Sequence, residues 1–290
     1  MVAAGQCSFR LTCRGRLLDL SGRTLVMGIL NVTPDSFSDG GKFFDPDLAL
    51  AHALELCRQG ADIIDVGGES TRPGAEPVPV DEEIRRVVPV VQRLAKMVEV
   101  PISIDTYKAA VAERALEAGA AMVNDITALR ADRQMAEVVR RFGAGLVLMH
   151  MQGEPRTMQR NPTYGDVVEE IIAFLQERVA ACEQAGIPRS CLVVDPGIGF
   201  GKTVQHNFEI IRRLKEFARL QLPLLVGPSR KSFVGAVTGL PPDQRLEGTA
   251  AAVAACVLGG AHIVRVHDVQ AIRRVVAVAD AIAAKVASVS

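Results

Sequence analysis

A closed α/β fold, a TIM (β/α)8 barrel preceded by a short hairpin, is what the sequence predicts, and three observations predict it. Short apolar runs alternate with charged stretches of helical spacing along the whole chain. Eight such runs occur, and each empties into a polar residue or a glycine-rich polar loop. Runs that are apolar at every position suit a parallel sheet covered on both faces. Eight units suit a barrel closed on itself, whereas a doubly wound open sheet stops nearer about five or six strands.

Residues 1–23 come first. Arg10, Arg14 and Arg16 interrupt "MVAAGQCSFRLTCRGRLL", so it has no signal-peptide apolar core; arginines without acids suit an organelle transit segment, but its alternation favours a hairpin. The predicted strands are TLVMGIL (24–30), ADIIDV (61–66), PISI (101–104), AMV (121–123), GLVLM (145–149), CLVV (191–194), LPLLV (222–226) and HIVRV (262–266). Between them DLALAHALELCRQG, DEEIRRVVPVVQRLAKM, YKAAVAERALEAGA and DVVEEIIAFLQERVAACEQAG carry helical spacing. Several close on Gly, as helix ends often do. No low-complexity linker separates the units, so residues 1–290 read as one barrel domain.

Composition narrows the function. Hydrophobic residues make up 49% of 290 and Trp is absent, so aliphatic packing must supply most of the stability. Lys+Arg and Asp+Glu balance at 33 each, which argues against a general nucleic-acid or acidic-membrane surface. No apolar stretch reaches the roughly 18 residues of a membrane span. The six cysteines form no CxxC pair, and they read as free thiols in a reducing, cytoplasmic compartment.

The strand ends carry the chemistry. They are Asn31; Gly67 to Arg72; Asp105; Asn124-Asp125; His150; Asp195-Pro196-Gly197; Gly227 to Lys231; and His267-Asp268. In a barrel all of these ring the C-terminal mouth, where barrel enzymes place their sites. One polar strand end is an ordinary helix cap, but eight together read as an active-site rim. Five histidines without an HExxH or HxH pair give little support to zinc; a hard cation held by oxygens and a phosphate fits better. "DPGIGFGKT" (195–203) fails as a Walker loop because position 196 is Pro, and fails as a dinucleotide loop because position 202 is Lys. It reads either as a tight turn beneath a ligand, exposing Phe200, or as a plain turn into a helix. Thr71-Arg72, Ser229 to Ser232, and Arg265 with His267 suggest an anion site, with Arg230 either part of it or idle. Asp105, Asp195 and Asn124 suit a flat heterocycle rich in N–H donors; alternatively the acids only pair with Lys231 or Arg265. Loops 31–41 and 67–76 are polar and long enough to close over the mouth.

The motifs "GILNVTPDSFSDGG", "DIIDVGGESTRPGA", "SIDT", "NDI", "DPGIGFGKT", "GPSRKSF", "RLEGT" and "RVHDV", in that order, resemble those of the dihydropteroate synthase family. The resemblance spans roughly residues 10 to 285. It implies a barrel transferase of folate synthesis that joins a dihydropterin-methyl diphosphate to 4-aminobenzoate with Mg²⁺. It implies that Asp105, Asn124, Asp195 and Lys231 contact the pterin, that Arg265 lies against it, and that Arg265 and His267 reach the diphosphate. Asn31 matches a magnesium-contacting asparagine, and Thr71 and Arg72 match diphosphate contacts. Phe37, Pro73, Phe200 and Ser232 fall at the aminobenzoate pocket, and Asp39 at an acid that steadies the cationic intermediate. Lys231, Asp39, Arg72 and Asp105 are therefore the catalytic candidates. The resemblance also implies a homodimer, for which the helix "DVQAIRRVVAVADAIAAKVA" offers a face. Two rivals are a methyltetrahydrofolate-dependent methyltransferase, which has no use for a diphosphate clamp, and a non-catalytic pterin-binding homologue.

Overall fold

The computed structural model describes residues 9–33, 45–71 and 74–285. Strands β1 (Arg10–Cys13) and β2 (Arg16–Asp19) form an antiparallel hairpin turned by Arg14 and Gly15 at φ 49° and 76°. Both central residues at positive φ match the right-handed twist of the flanking strands. Eight parallel strands follow: β3 (Leu25–Asn31), β4 (Ile63–Gly67), β5 (Ile102–Asp105), β6 (Met122–Asp125), β7 (Gly145–Met149), β8 (Leu192–Asp195), β9 (Leu225–Val226) and β10 (Ile263–Val266). Their order is β8-β7-β6-β5-β4-β3-β10-β9. A single parallel bridge, Val194 to Leu224, joins the outer strands β8 and β9 and closes the barrel.

The expected helices stand outside that cylinder. They are α1 (Pro46–Arg58), α2 (Val80–Leu94), α3 (Ala109–Glu117), α4 (Met135–Phe142), α5 (Val167–Gln184), α6 (Val204–Arg212), α7 (Ser232–Thr238), α8 (Leu246–Leu258) and α9 (Val269–Ile282). Their starts are set by local chemistry. Asp45 accepts from Asp47 N at 2.8 Å ahead of Pro46, and Thr203 with His206 makes a reciprocal capping box. Gly143 ends α4 at φ 57°, the left-handed conformation glycine tolerates best.

Two apolar layers result. One lies between strands and helices. The other fills the lower barrel, where Leu11, Cys13 and Leu20 of the hairpin segment pack with Leu25, Met27, Ile63, Met122, Val147 and Val193. A Cβ on Gly145 would stand 2.7 Å from Cys13 Sγ, so glycine there lets the hairpin seat. The hairpin plugs the N-terminal end of the barrel and leaves the C-terminal end open. Parallel register then brings Asn31, Gly67, Asp105 and Asn124 to one level, because each is paired with the next.

Candidate active site

Asp105, Asn124 and Asp195 are the last or next-to-last residues of their strands, and all are buried. Arg265 reaches across from β10, with Nε 2.6 Å from Asp65 Oδ2 and Nη2 2.6 Å from Asp105 Oδ2. Asn124 Nδ2 donates to the same Asp65 oxygen at 3.0 Å. Asp65 has no exposed surface and ties two of the expected pterin residues to one point. Sequence reading had not singled it out. The available signal was a carboxylate in the middle of "IIDV", since a charge inside a doubly covered strand needs a buried partner.

Charge in this floor is finely divided. Burial, reinforced by Asp65 and opposed by Arg265, pushes Asp105 up to about 7. Burial also raises Asp195, against the pull of Lys231 and of the Gly197 N–H, which donates to Asp195 Oδ1 at 2.7 Å. Burial lowers Lys231 to about 8, and Asp195 counters it. Asp105 Oδ1 is buried without a hydrogen-bond partner, as are Asp65 Oδ1 and Ser103 Oγ. Two acids, one with a free oxygen, beside an amide and two cations make a receptor for a flat ring bearing N–H groups. The alternative in which the acids only pair with Arg265 or Lys231 is half realised. Asp105 pairs with Arg265, yet keeps its second oxygen.

The 195–203 stretch turns tightly through Gly197, Gly199 and Gly201, all at positive φ, before Thr203 caps α6. Lys231 Nζ donates to the Ile198 carbonyl and lies 4.6 Å from the Phe200 ring centroid. Phe200 packs beside Met149, Met151 and Met158, and the half-buried ring faces that lysine. Ser232, the first residue of α7, is exposed next to Lys231.

A cavity of ≈ 580 Å³ is lined by Asn31, Arg230, His267 and Asp268 together with residues of α1, α8 and α9, among them His52 and Gln270. His267 Nδ1 lies 2.9 Å from Ser229 Oγ, which also accepts from the His267 N–H. Arg230 is taken up by Asp268 through Nε at 2.9 Å and through Nη2, so its forked face belongs to a structural pair. His150 is turned inward. It is buried against Lys202, and burial and that amine hold its ring down to about 2. Thr71 lies just beyond β4. Glu69, two residues before it, accepts from Lys108 Nζ at 2.6 Å, and Lys108 also meets Glu83 at 2.6 Å. Phe37, Asp39, Arg72 and Pro73 lie outside the described residues.

Among the described residues no group of three or more His, Cys, Asp and Glu is placed to hold a metal, and no helix is long and apolar enough to cross a membrane. Cys13, Cys57, Cys182, Cys191 and Cys256 are free thiols.

A parallel barrel with buried acids and an amide at its mouth defines a class, and residues 27–267 match it: the pterin binding enzyme family. The dihydropteroate synthase of Escherichia coli (strain K12) is 49% identical over 261 residues, 90% of this chain and 92% of that one. The Yersinia pestis dihydropteroate synthase, solved with a sulfonamide drug complex, superposes with a TM-score of 0.90 at 46% identity, over 95% of this chain and 99% of that one. The Xanthomonas albilineans enzyme in complex with 7,8-dihydropteroate gives 0.84 at 43% identity, over 94% and 98%. The chain belongs to the pterin-binding enzymes and, within them, to the dihydropteroate synthases, the transferases of folate synthesis.

Proposed function

We propose that this site condenses (7,8-dihydropterin-6-yl)methyl diphosphate with 4-aminobenzoate, giving 7,8-dihydropteroate and diphosphate. The observation that carries the reading is the floor of buried Asp105, Asn124 and Asp195 with half-buried Lys231 and Arg265, in which one Asp105 oxygen still lacks a donor. Ring N–H and amino groups would complete it. The methylene carbon–oxygen bond breaks with its electron pair on diphosphate, and positive charge spreads into the ring. Asp105 and Asp195 stabilise that charge from a low-dielectric position. Lys231 donates toward the ring and closes the side shared with Phe200. The aniline nitrogen then forms the carbon–nitrogen bond and gives up a proton to the departing diphosphate or to water. Its ring is set against Phe200 and Ser232, with orientation rather than a strong base supplying the rate.

Thr71 and His267 face the leaving diphosphate in this reading, and Arg265 spans ring and anion. Asn31 offers one amide oxygen at the rim, and among the described residues no group of three or more His, Cys, Asp and Glu is gathered to hold a metal. That suits a Mg²⁺ bound mainly through substrate phosphates, since this ion keeps waters and takes few protein ligands. When bound, Mg²⁺ would neutralise charge on the departing oxygens. Phe37 and Pro73 as aminobenzoate contacts, and Asp39 and Arg72 as stabilisers of cation and anion, rest on the family resemblance. We further infer a cytoplasmic homodimer. Free thiols support the compartment, and the exposed Val278 and Ile282 of α9 support a self-contacting face. Nucleic acid and membrane have no part in this reading.

The test is diphosphate release on mixing the two substrates. It should require both aminobenzoate and Mg²⁺ and be blocked by a sulfonamide. Methyl transfer from a methylated folate without diphosphate release would favour the methyltransferase rival; ligand affinity without product would favour the non-catalytic one.

A further inference from the structure

Lys202 plays no part in the reaction described, yet it is only 3% exposed. Its Nζ lies 3.0 Å from His150 Nδ1, 2.9 Å from the Phe200 carbonyl and 3.4 Å from the His150 carbonyl. These neighbours are neutral acceptors, none a carboxylate. Burial pushes the amine well below its ordinary range, against the longer-range pull of the Asp195 carboxylate, while its hydrogen bonds go to His150 and Phe200. A lysine stripped of water in this way is costly, and it persists only where its donors are used.

Its donors meet a turn already pressed onto the end of β7. A Cβ on Gly197 would stand 1.9 Å from the His150 carbonyl oxygen, and one on Gly201 2.4 Å from that of Gln152. Both glycines have positive φ, 69° and 60°. Asn207 Oδ1 takes the Gly199 N–H at 2.7 Å, and Tyr164 OH donates to the Gly201 carbonyl at 2.8 Å. Between these ties stands Phe200. Lys202 takes its carbonyl, and its ring is the surface beside which Lys231 sits.

We propose that Lys202 is a positioning residue: by joining the Phe200 carbonyl to the His150 ring it fixes Phe200 as the preformed wall of the aminobenzoate slot. The proposal rests on the reading of Phe200 given above. It differs from a general structural role in acting through one neighbour on one substrate.

The experiment measures steady-state kinetics with saturating pterin diphosphate, and separately the affinity for a pterin lacking the diphosphate. The variants are Lys202→Met, Phe200→Ala and the double substitution. Lys202→Met should raise KM for aminobenzoate about ten- to a hundredfold, the scale of a misplaced contact group. Pterin affinity should change by no more than about twofold. Added to Phe200→Ala, the same substitution should raise KM by no more than about twofold further, because its route is already gone. Should Lys202→Met not fold, Lys202→Ala, which likewise deletes the donor, carries the same comparison. An unchanged KM, an equal loss of pterin affinity, or full multiplication of the two effects would overturn the positioning role while leaving the proposed reaction intact. An unchanged KM in Phe200→Ala alone would remove Phe200 from the slot, which is a failure of the substrate assignment and takes the proposed route with it.

Discussion

Asp65 shows how much of this site hangs on one carboxylate oxygen. Its Oδ2 receives Arg265 at 2.6 Å and Asn124 at 3.0 Å. Asp65→Ala leaves a half-buried guanidinium with half its counter-charge, which should cost about 2–4 kcal/mol, somewhat less than for a fully buried pair. A matching fall in unfolding free energy by urea titration is expected; a loss below about 1 kcal/mol would mean Asp105 alone suffices. The pH behaviour of Asp105 is a second consequence. Its folded pKa, about 7, lies above the ordinary value of 3.8. A group raised in this way contributes stability that is full below the lower value and is lost as pH climbs through the higher one. Thermal melts should therefore show Asp105→Asn gaining on the unaltered protein as pH rises from about 4 to about 7 and levelling off above that. Pterin affinity should run the other way, falling as pH drops through the same value, because the proton occupies the oxygen that accepts from the ring. Affinity independent of pH would remove Asp105 from ring recognition. Asp195→Ala, which deletes the other acceptor, should abolish pterin binding by calorimetry.

Between residues and whole barrel stand the strand ends and the loops they launch. The loop after β4 is pinned by Lys108, which bridges Glu69, Glu83 and the Val78 carbonyl, each at 2.6 Å. Tyr107 OH and the Val78 N–H complete the shell of Glu69, at 2.5 and 2.6 Å. Gly68 lies against α2, where a Cβ would meet Val87 at 2.7 Å. Lys108→Met strands two carboxylates in a nearly closed setting and should destabilise by about 3–5 kcal/mol, measured by denaturant unfolding. The strand-end residues Asp105, Asn124, Asp195 and Arg265 were legible because each closes or interrupts an apolar run whose period is unmistakable. Arg230 was not legible. Its partner Asp268 is distant in sequence, and nothing local tells a phosphate-binding arginine from one committed to a carboxylate.

At the scale of the molecule, the two ends of the barrel are divided between stability and chemistry. The hairpin fills the N-terminal end with Leu11 and Cys13, both without exposed surface. Leu11→Ala removes a buried side chain that touches no site residue. It should cost about 2–5 kcal/mol by thermal unfolding and leave both KM values unchanged at temperatures where the protein is folded. A shift in KM would mean the two ends are coupled through the core.

Periodicity and punctuation belong to the chain itself. Eight doubly covered apolar runs, the helices between them and the polar residue closing each run are local properties, so the barrel and its rim could be read before any coordinate. The depth of the site was decided only in three dimensions. Asp65 matters because Arg265, 200 residues away in sequence, crosses the barrel to reach it. Lys202 matters because the end of β7 folds beneath the turn that precedes it. A hydrogen bond has no sequence period, and a buried charge finds its partner only when the sheet has closed.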